Sequence, residues 1–294
     1  MKTLVAGWFS FEGMGATAGD LLARDLACEW LRDAGRSVDV AHAPPFGGGV
    51  DWRAVDPGGY KEVVFVCGPF GNGPPLDEFL ERFRAARLIG LDVSLLEPLE
   101  TWDPFDLLWE RDSSRASRPE ISFAAPSSEV PVIGVVLAHP QREYDGGMHK
   151  EVGAAIRRVL ETREMAVVEV DTRLDENRTG LSTPGEVEVL IARADVIVTT
   201  RLHGLVMALR NSVPALVIDP IAGGAKVRRQ ADVVGWPVAF NADEVNGAVI
   251  ARALDRCLTE EMRREATRCR DQARQRVAAV REELVATLRK ADQV

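Results

Sequence analysis

Residues 194–219 constrain this chain more than any other stretch: Ala-Asp-Val-Ile-Val-Thr-Thr-Arg-Leu-His-Gly-Leu-Val-Met-Ala-Leu-Arg-Asn-Ser-Val-Pro-Ala-Leu-Val-Ile-Asp. Val196-Ile197-Val198 is short, β-branched and apolar, as a strand buried on both faces should be. Leu205, Val206, Ala208 and Leu209 make a helical apolar stripe, and Asn211-Ser212 mark its end. Residues 213–218 form a second buried strand, with Pro214 at its start, where a missing N–H does least harm. The run predicts a βαβ unit, the building block of an α/β fold with a parallel sheet.

Between the first strand and its helix lies Thr199-Thr200-Arg201-Leu202-His203-Gly204. Open α/β sheets bind ligands at the carboxyl ends of their strands. Helix N-termini add free N–H groups and a partial positive charge. With an arginine and a histidine, this is a candidate pocket for a phosphorylated or carboxylated small molecule. Gly204 is expected to let a ligand approach the backbone closely. The competing reading makes Arg201 a surface ion-pair arginine and His203 a hydrogen-bonded structural histidine.

Arg201-Leu202-His203-Gly204, preceded by Ala-Asp-Val-Ile-Val-Thr-Thr, resembles the Arg-Leu-His segment of the polysaccharide pyruvyl transferases. In that family the segment follows an Ala-Asp-hydrophobic strand and precedes a helix ending near a Val/Ile-Pro pair, here Val213-Pro214. The pattern continues into a strand and a lysine-containing loop, here Asp219 to Lys226-Val227. The resemblance is good over residues 186–237. It implies two Rossmann-like domains facing a cleft, a GT-B-like arrangement. It also implies phosphoenolpyruvate as donor, a hydroxylated acceptor, usually a sugar, and a pyruvate ketal as product. The donor is a substrate, and no further cofactor or metal is called for.

At 294 residues the chain is long for one core, and two domains are the natural expectation. The opening reads as strand 4–8, a glycine-rich turn, helix 20–34 with Gly35 beyond its end, and strand 38–40. Gly13, Gly15 and Gly19 miss the Gly-x-Gly-x-x-Gly dinucleotide spacing by one residue. Gly19-Asp20 resembles the family's Gly-Asp at a helix start, which suggests an acceptor-side loop with Asp20 as general base; simple helix capping by Asp20 is the alternative. Cys67-Gly68-Pro69-Phe70-Gly71-Asn72-Gly73-Pro74 is a rigid loop after a buried strand. It departs from the family's glycine run. Arg111, Asp112 and Ser114 resemble the family's Arg-Asp-x-x-Ser, and a charged turn is the alternative.

Residues 115–130 are rich in Ser, Pro and Ala and form the best linker. The expected domains are therefore 1–128, on the acceptor side, and 129–294, binding the donor. The terminal charged helix of the second can pack back on the first. Strand 132–137 opens the second domain and ends in Ala138-His139-Pro140-Gln141-Arg142. His139 and Arg142 should face the same cleft as Arg201 and His203, although both also suit an ordinary turn. Gly223-Gly224 and Lys226 make a loop that could hold phosphate, without the Gly-Lys-Ser/Thr ending of a P-loop.

Net charge is −9. A non-specific nucleic-acid binder needs a basic face, so this charge argues against that class. Cys28, Cys67, Cys257 and Cys269 form no Cys-x-x-Cys pair, which argues against zinc. Cys28 and Cys67 read as core residues. Unpaired thiols suit the cytoplasm. No apolar run spans a membrane, and the N-terminus reads as a strand rather than a signal peptide. Oligomeric state is not written in the sequence.

The resulting expectation is a pyruvyl transferase. Arg201, Arg142 and Lys226 would hold the donor's two anions, and His203 would supply a proton. His139, Leu202, Gly204, Gly19 and Arg111 would line the substrate surfaces. Two alternatives stand: a nucleotide-sugar glycosyltransferase, and a non-catalytic anion-binding protein on the same fold.

Overall fold

The computed structural model describes residues 1–139 and 147–291, which divide into the units Met1–Ser128 and Glu129–Val294. In the first, β1 (Lys2–Ala6), α1 (Ala18–Asp33), β2 (Ser37–Val40) and β3 (Glu62–Val66) come first. The short β4 (Pro69–Phe70), α2 (Leu76–Arg82), β5 (Arg87–Leu91), the short β6 (Ser94–Leu95) and β7 (Leu107–Trp109) follow. The sheet order is β2-β1-β3-β5-β7, all parallel. Leu4, Ala6, Val63 and Phe65 pack on one face, with Trp52 and Phe79. Val5, Val64 and Val66 pack on the other, against Ala23 and Ala27 of α1. Alternation with period 2 between two apolar faces explains why β1 and β3 read as continuous hydrophobic runs. Outside this sheet, β4 and β6 pair with each other.

The second unit contains β8 (Val132–Val136), α3 (His149–Glu161), β9 (Ala166–Glu169), α4 (Pro184–Ala192) and β10 (Val196–Thr199). It continues with α5 (Leu202–Arg210), β11 (Ala215–Asp219), α6 (Lys226–Val234), β12 (Ala239–Asn241), α7 (Gly247–Cys257) and α8 (Glu260–Ala291). Its sheet order is β12-β11-β10-β8-β9, again all parallel. α5 packs against α4, α6 and α8, and α3 against α7. Ile133, Val135, Ile197, Leu216 and Ile218 lie in one core with Ile156, Leu205 and Leu254.

Both units are α/β and Rossmann-like. Counted by the chain order of their five main strands, both sheets run 2-1-3-4-5. In that order the direction of winding reverses between the first and third strands, and a crevice opens there at the carboxyl edge. In the second unit the crevice lies beyond β8 and β10. Cys28 and Cys67 are buried, with the other two cysteines, as free thiols. Among the described residues no helix is long and apolar enough to cross a membrane.

Candidate active site

The ends of β8 and β10 are laced together by threonines. Thr199 Oγ1 donates to the Val136 carbonyl at 2.9 Å and accepts the Arg201 N–H at 2.9 Å. Thr200 Oγ1 accepts the Ala138 N–H at 2.8 Å. This holds Arg201 at the N-cap of α5 in extended backbone, with φ −120° and ψ 136°, and no side chain caps that helix. α3, like α5, has no side-chain cap, whereas α4, α6 and α7 are capped. Thr183 caps α4 and Asn246 caps α7. Asp219, buried at the end of β11, caps α6 by accepting the N–H groups of Ala225, Val227 and Arg228 at 2.7–3.0 Å.

A cavity of about 620 Å³ opens over the start of α5, lined among others by Thr172, Leu174, Arg201, Leu202, His203 and Lys226. His203 is the second residue of α5 and is exposed; Lys226 is the first residue of α6 and is also exposed. The structure therefore brings together Arg201, Leu202, His203 and Lys226, all singled out from sequence. The Gly223-Gly224 loop is different from expectation. Its glycines adopt φ +74° and +79°, but the backbone donors that follow are taken by Asp219. A phosphate could meet the Lys226 ammonium there, not a nest of free N–H groups.

Gly204 also needs correction. A Cβ at this position would lie 2.2 Å from Thr199 Oγ1 and 3.0 Å from Val136 Cγ1. Glycine is required by the close approach of α5 to the strand ends, and the space before it is filled by Thr199 rather than open to a ligand.

Asp171 is the residue that sequence reasoning missed. It follows β9 and is 6% exposed. Its Oδ1 accepts the Arg173 N–H at 2.9 Å and Arg201 Nη1 at 3.4 Å. Its Oδ2 meets His139 Nε2 at 3.0 Å and the Arg178 N–H at 3.4 Å. Burial works to raise the Asp171 pKa, but the Arg173 N–H, His139 and the Arg178 N–H outweigh it and hold the carboxyl below its ordinary range. Arg201 is pushed below its usual value by burial, with Asp171 acting in the opposite sense. Arg201 thus lines the cavity while its Nη1 is committed to Asp171 and, at 3.1 Å, to Thr172 Oγ1. His139 joins this group through Asp171 and borders a separate hollow with Lys150 and Arg178. Arg142 lies outside the described residues. The signal for Asp171 in the sequence was an acid just past the end of the strand at Ala166–Glu169.

The remaining candidates belong to the first unit. Asp20 and Arg111 border a cavity of about 620 Å³ with Trp8 and Asn72, at the switch point of that sheet. Asp20 Oδ2 accepts both the Thr17 N–H and the Thr17 hydroxyl at 2.7 Å, completing a capping box on α1. Arg111 donates to Ser94 Oγ at 2.6 Å and pairs with Asp112 at 3.5 Å. Gly19 has neither positive φ nor crowding that would exclude a Cβ, which would meet only Thr17 Oγ1 at 3.6 Å.

Solved structures with related topology include the UDP-GlcNAc 2-epimerase from Methanocaldococcus jannaschii, 11% identical over 89% of this chain and 94% of its own, with a TM-score of 0.34. The glycosyltransferase SnogD from Streptomyces nogalater is 16% identical over 98% and 99%, also with a TM-score of 0.34. Spinosyn forosaminyltransferase SpnP is 14% identical over 96% and 99%, with the same score. The fold class rests on the strand order above. No curated protein matches the sequence. The match that bears on the site is a family model spanning β8 to the end of β11: residues 135–220, with Asp171, Arg201 and His203 among them, match polysaccharide pyruvyl transferase, the family that Arg201-Leu202-His203 resembles and whose general kind is a transferase.

Proposed function

We propose that this chain transfers a pyruvyl group from phosphoenolpyruvate to a hydroxylated acceptor, a sugar being the expected class. The observation that carries this reading is the uncapped start of α5, flanked by Arg201, His203 and Lys226 around one cavity. Phosphoenolpyruvate carries a phosphate and a carboxylate, so it needs cationic or N–H donors at separate points. The α5 N–H groups suit one anion, and the Arg201 guanidinium, beyond its bonded Nη1, suits the other. Lys226 adds a positive charge at the rim.

The chemistry balances as follows. A proton adds to the donor's methylene carbon, leaving C2 electrophilic. One acceptor hydroxyl adds to C2, a second displaces phosphate, and the two hydroxyl protons leave. The products are a pyruvate ketal and inorganic phosphate. His203 is the proposed proton donor, as the imidazole that borders this cavity beside Arg201. On the acceptor side, Asp20 keeps one carboxylate oxygen beyond the capping box and remains our candidate base. Four reduced cysteines suit a cytoplasmic setting.

The test is binding. At ~100 times its dissociation constant, phosphoenolpyruvate should stabilise the protein by about 2.7 kcal/mol, visible as a rise in Tm. Arg201→Ala should remove that rise. Full retention of affinity in Arg201→Ala would overturn the assignment. A shift with a nucleotide sugar instead would replace this reading with a glycosyltransferase.

A further inference from the structure

The loop 171–181, between β9 and α4, is closed by one side chain. Asn177 Nδ2 donates to the Asp171 carbonyl at 2.9 Å and to the Arg173 carbonyl at 2.7 Å. Its Oδ1 accepts the Thr179 N–H at 2.8 Å, the Thr179 hydroxyl at 2.9 Å and the Leu181 N–H at 3.0 Å. The Thr179 hydroxyl oxygen in turn accepts the Asp171 N–H at 3.3 Å. A side-chain amide carries two N–H donors beside a carbonyl acceptor, and both ends of Asn177 are used. The feet of the loop stand on the core. Val170 is buried, and Leu181 packs against the apolar cluster of the second unit.

The tip of the loop, Thr172 to Asp175, lines the cavity over the start of α5. Arg173 is committed there to Asp175, at 2.7 and 2.8 Å, so it adds little net charge. What the loop supplies is a pair of oxygens for Arg201, whose Nη1 donates to Thr172 Oγ1 and to Asp171 Oδ1. Thr172 lies between the two carbonyls that Asn177 holds. We propose that Asn177 is a positioning residue for the donor: it fixes the backbone of 171–173 so that the Arg201 guanidinium is aimed at one anionic group of phosphoenolpyruvate. The inference rests on the donor reading above. Asn177 stands behind the cavity wall rather than in it, so it acts through Thr172, Asp171 and Arg201. A guanidinium arranged beforehand by fixed acceptors loses less freedom when its anion arrives.

Calorimetric titration of the full chain with phosphoenolpyruvate tests this. Asn177→Ala should weaken affinity about tenfold, a change of ~1.4 kcal/mol. Asn177→Ser keeps an oxygen that can accept the Thr179 N–H but is too short to reach both carbonyls. It should bring Tm back towards that of the unaltered protein and leave the affinity weak. The titration of Asp171, followed through its carboxyl carbon-13 signal, needs no ligand. It should move up in both variants, because the Arg173 and Arg178 N–H groups that hold it down lose their placement. Full affinity in Asn177→Ala, or an affinity that returns together with Tm in Asn177→Ser, overturns the proposal and leaves Asn177 a plain support of the loop. An unmoved Asp171 titration overturns it as well. If the unaltered protein does not bind phosphoenolpyruvate, the donor reading falls, whereas the Asp171 titration still decides whether Asn177 sets the backbone of 171–173.

Discussion

A carboxylate that is 6% exposed and still held below its ordinary pKa needs several donors, and Asp171 has the Arg173 and Arg178 N–H groups, His139 and Arg201. The arrangement is asymmetric. Take away Arg201, and three donors still satisfy the acid. Take away Asp171, and a guanidinium whose side chain is 16% exposed loses its counter-charge. Removing one member of a buried pair is the costly change. Asp171→Ala should therefore destabilise by about 3 kcal/mol, and Arg201→Ala by only about 1 kcal/mol, as midpoints in urea would show. Equal losses would mean that Arg201 is a main support of the loop. The first unit offers a pH test. Glu110 is 1% exposed; burial works to raise its carboxyl pKa, but bonds from Arg115 and Ser113 outweigh burial and bring it to about 2. A depressed folded pKa gives stability that is complete above the unfolded value, 4.5, and is lost as pH falls towards 2. Glu110→Gln should flatten that acid limb in a stability-against-pH curve; an unchanged limb would place the acid sensitivity elsewhere. Arg201 and His203 were legible because a residue type at a strand's end is visible in sequence. Asp171 was not, since its partners His139 and Arg201 stand 32 and 30 residues away.

At the scale of elements, α5 and α6 make an informative pair. Each has nine residues and starts at the carboxyl edge of the same sheet. Asp219 fills the N-terminus of α6 with a carboxylate, while α5 has no cap and opens on the cavity. An anion from solution can then be held at only one of these two starts. What brings α5 so near the strands is Gly204, where a methyl group would overlap Thr199 Oγ1. Gly204→Ala must push the helix outward or turn Thr199 away from the Val136 carbonyl. Overpacking of this kind costs about 1–3 kcal/mol, enough to lower Tm measurably; a neutral or stabilising change would show that α5 has slack. In the second unit strand 132–137 is found at Val132–Val136 and the strand at 196–198 at Val196–Thr199, while strand 213–218 is shifted to Ala215–Asp219; these were legible because β-branched runs carry their own period. The two-residue strands β4 and β6 were not, since a pair so short has no period and exists only through its partner. The glycine at 204 was visible, but its reason was not: the same residue serves a close helix as well as a close ligand.

The two units share one strand order without a visible repeat in the sequence. Strand order is set by where each crossover returns, and apolar strands of either unit can satisfy it with different residues, so the repetition lies in topology alone. Each unit also holds its own apolar clusters, one in the second unit and two on the opposite faces of the first unit's sheet. A unit with its own core can fold by itself. Among the described residues, every group around the cavity over the start of α5, and the Asp171 support behind Arg201, belongs to the second unit. If phosphoenolpyruvate is held by those groups, its affinity should not depend on residues 1–128. Calorimetric titration of a 129–294 fragment should then give a dissociation constant within a few-fold of the full chain's. Loss of binding in a fragment that still melts cooperatively would assign part of the donor's grip to the first unit. The Arg201→Ala fragment provides the control, because binding that survives in it cannot rest on the Arg201 guanidinium.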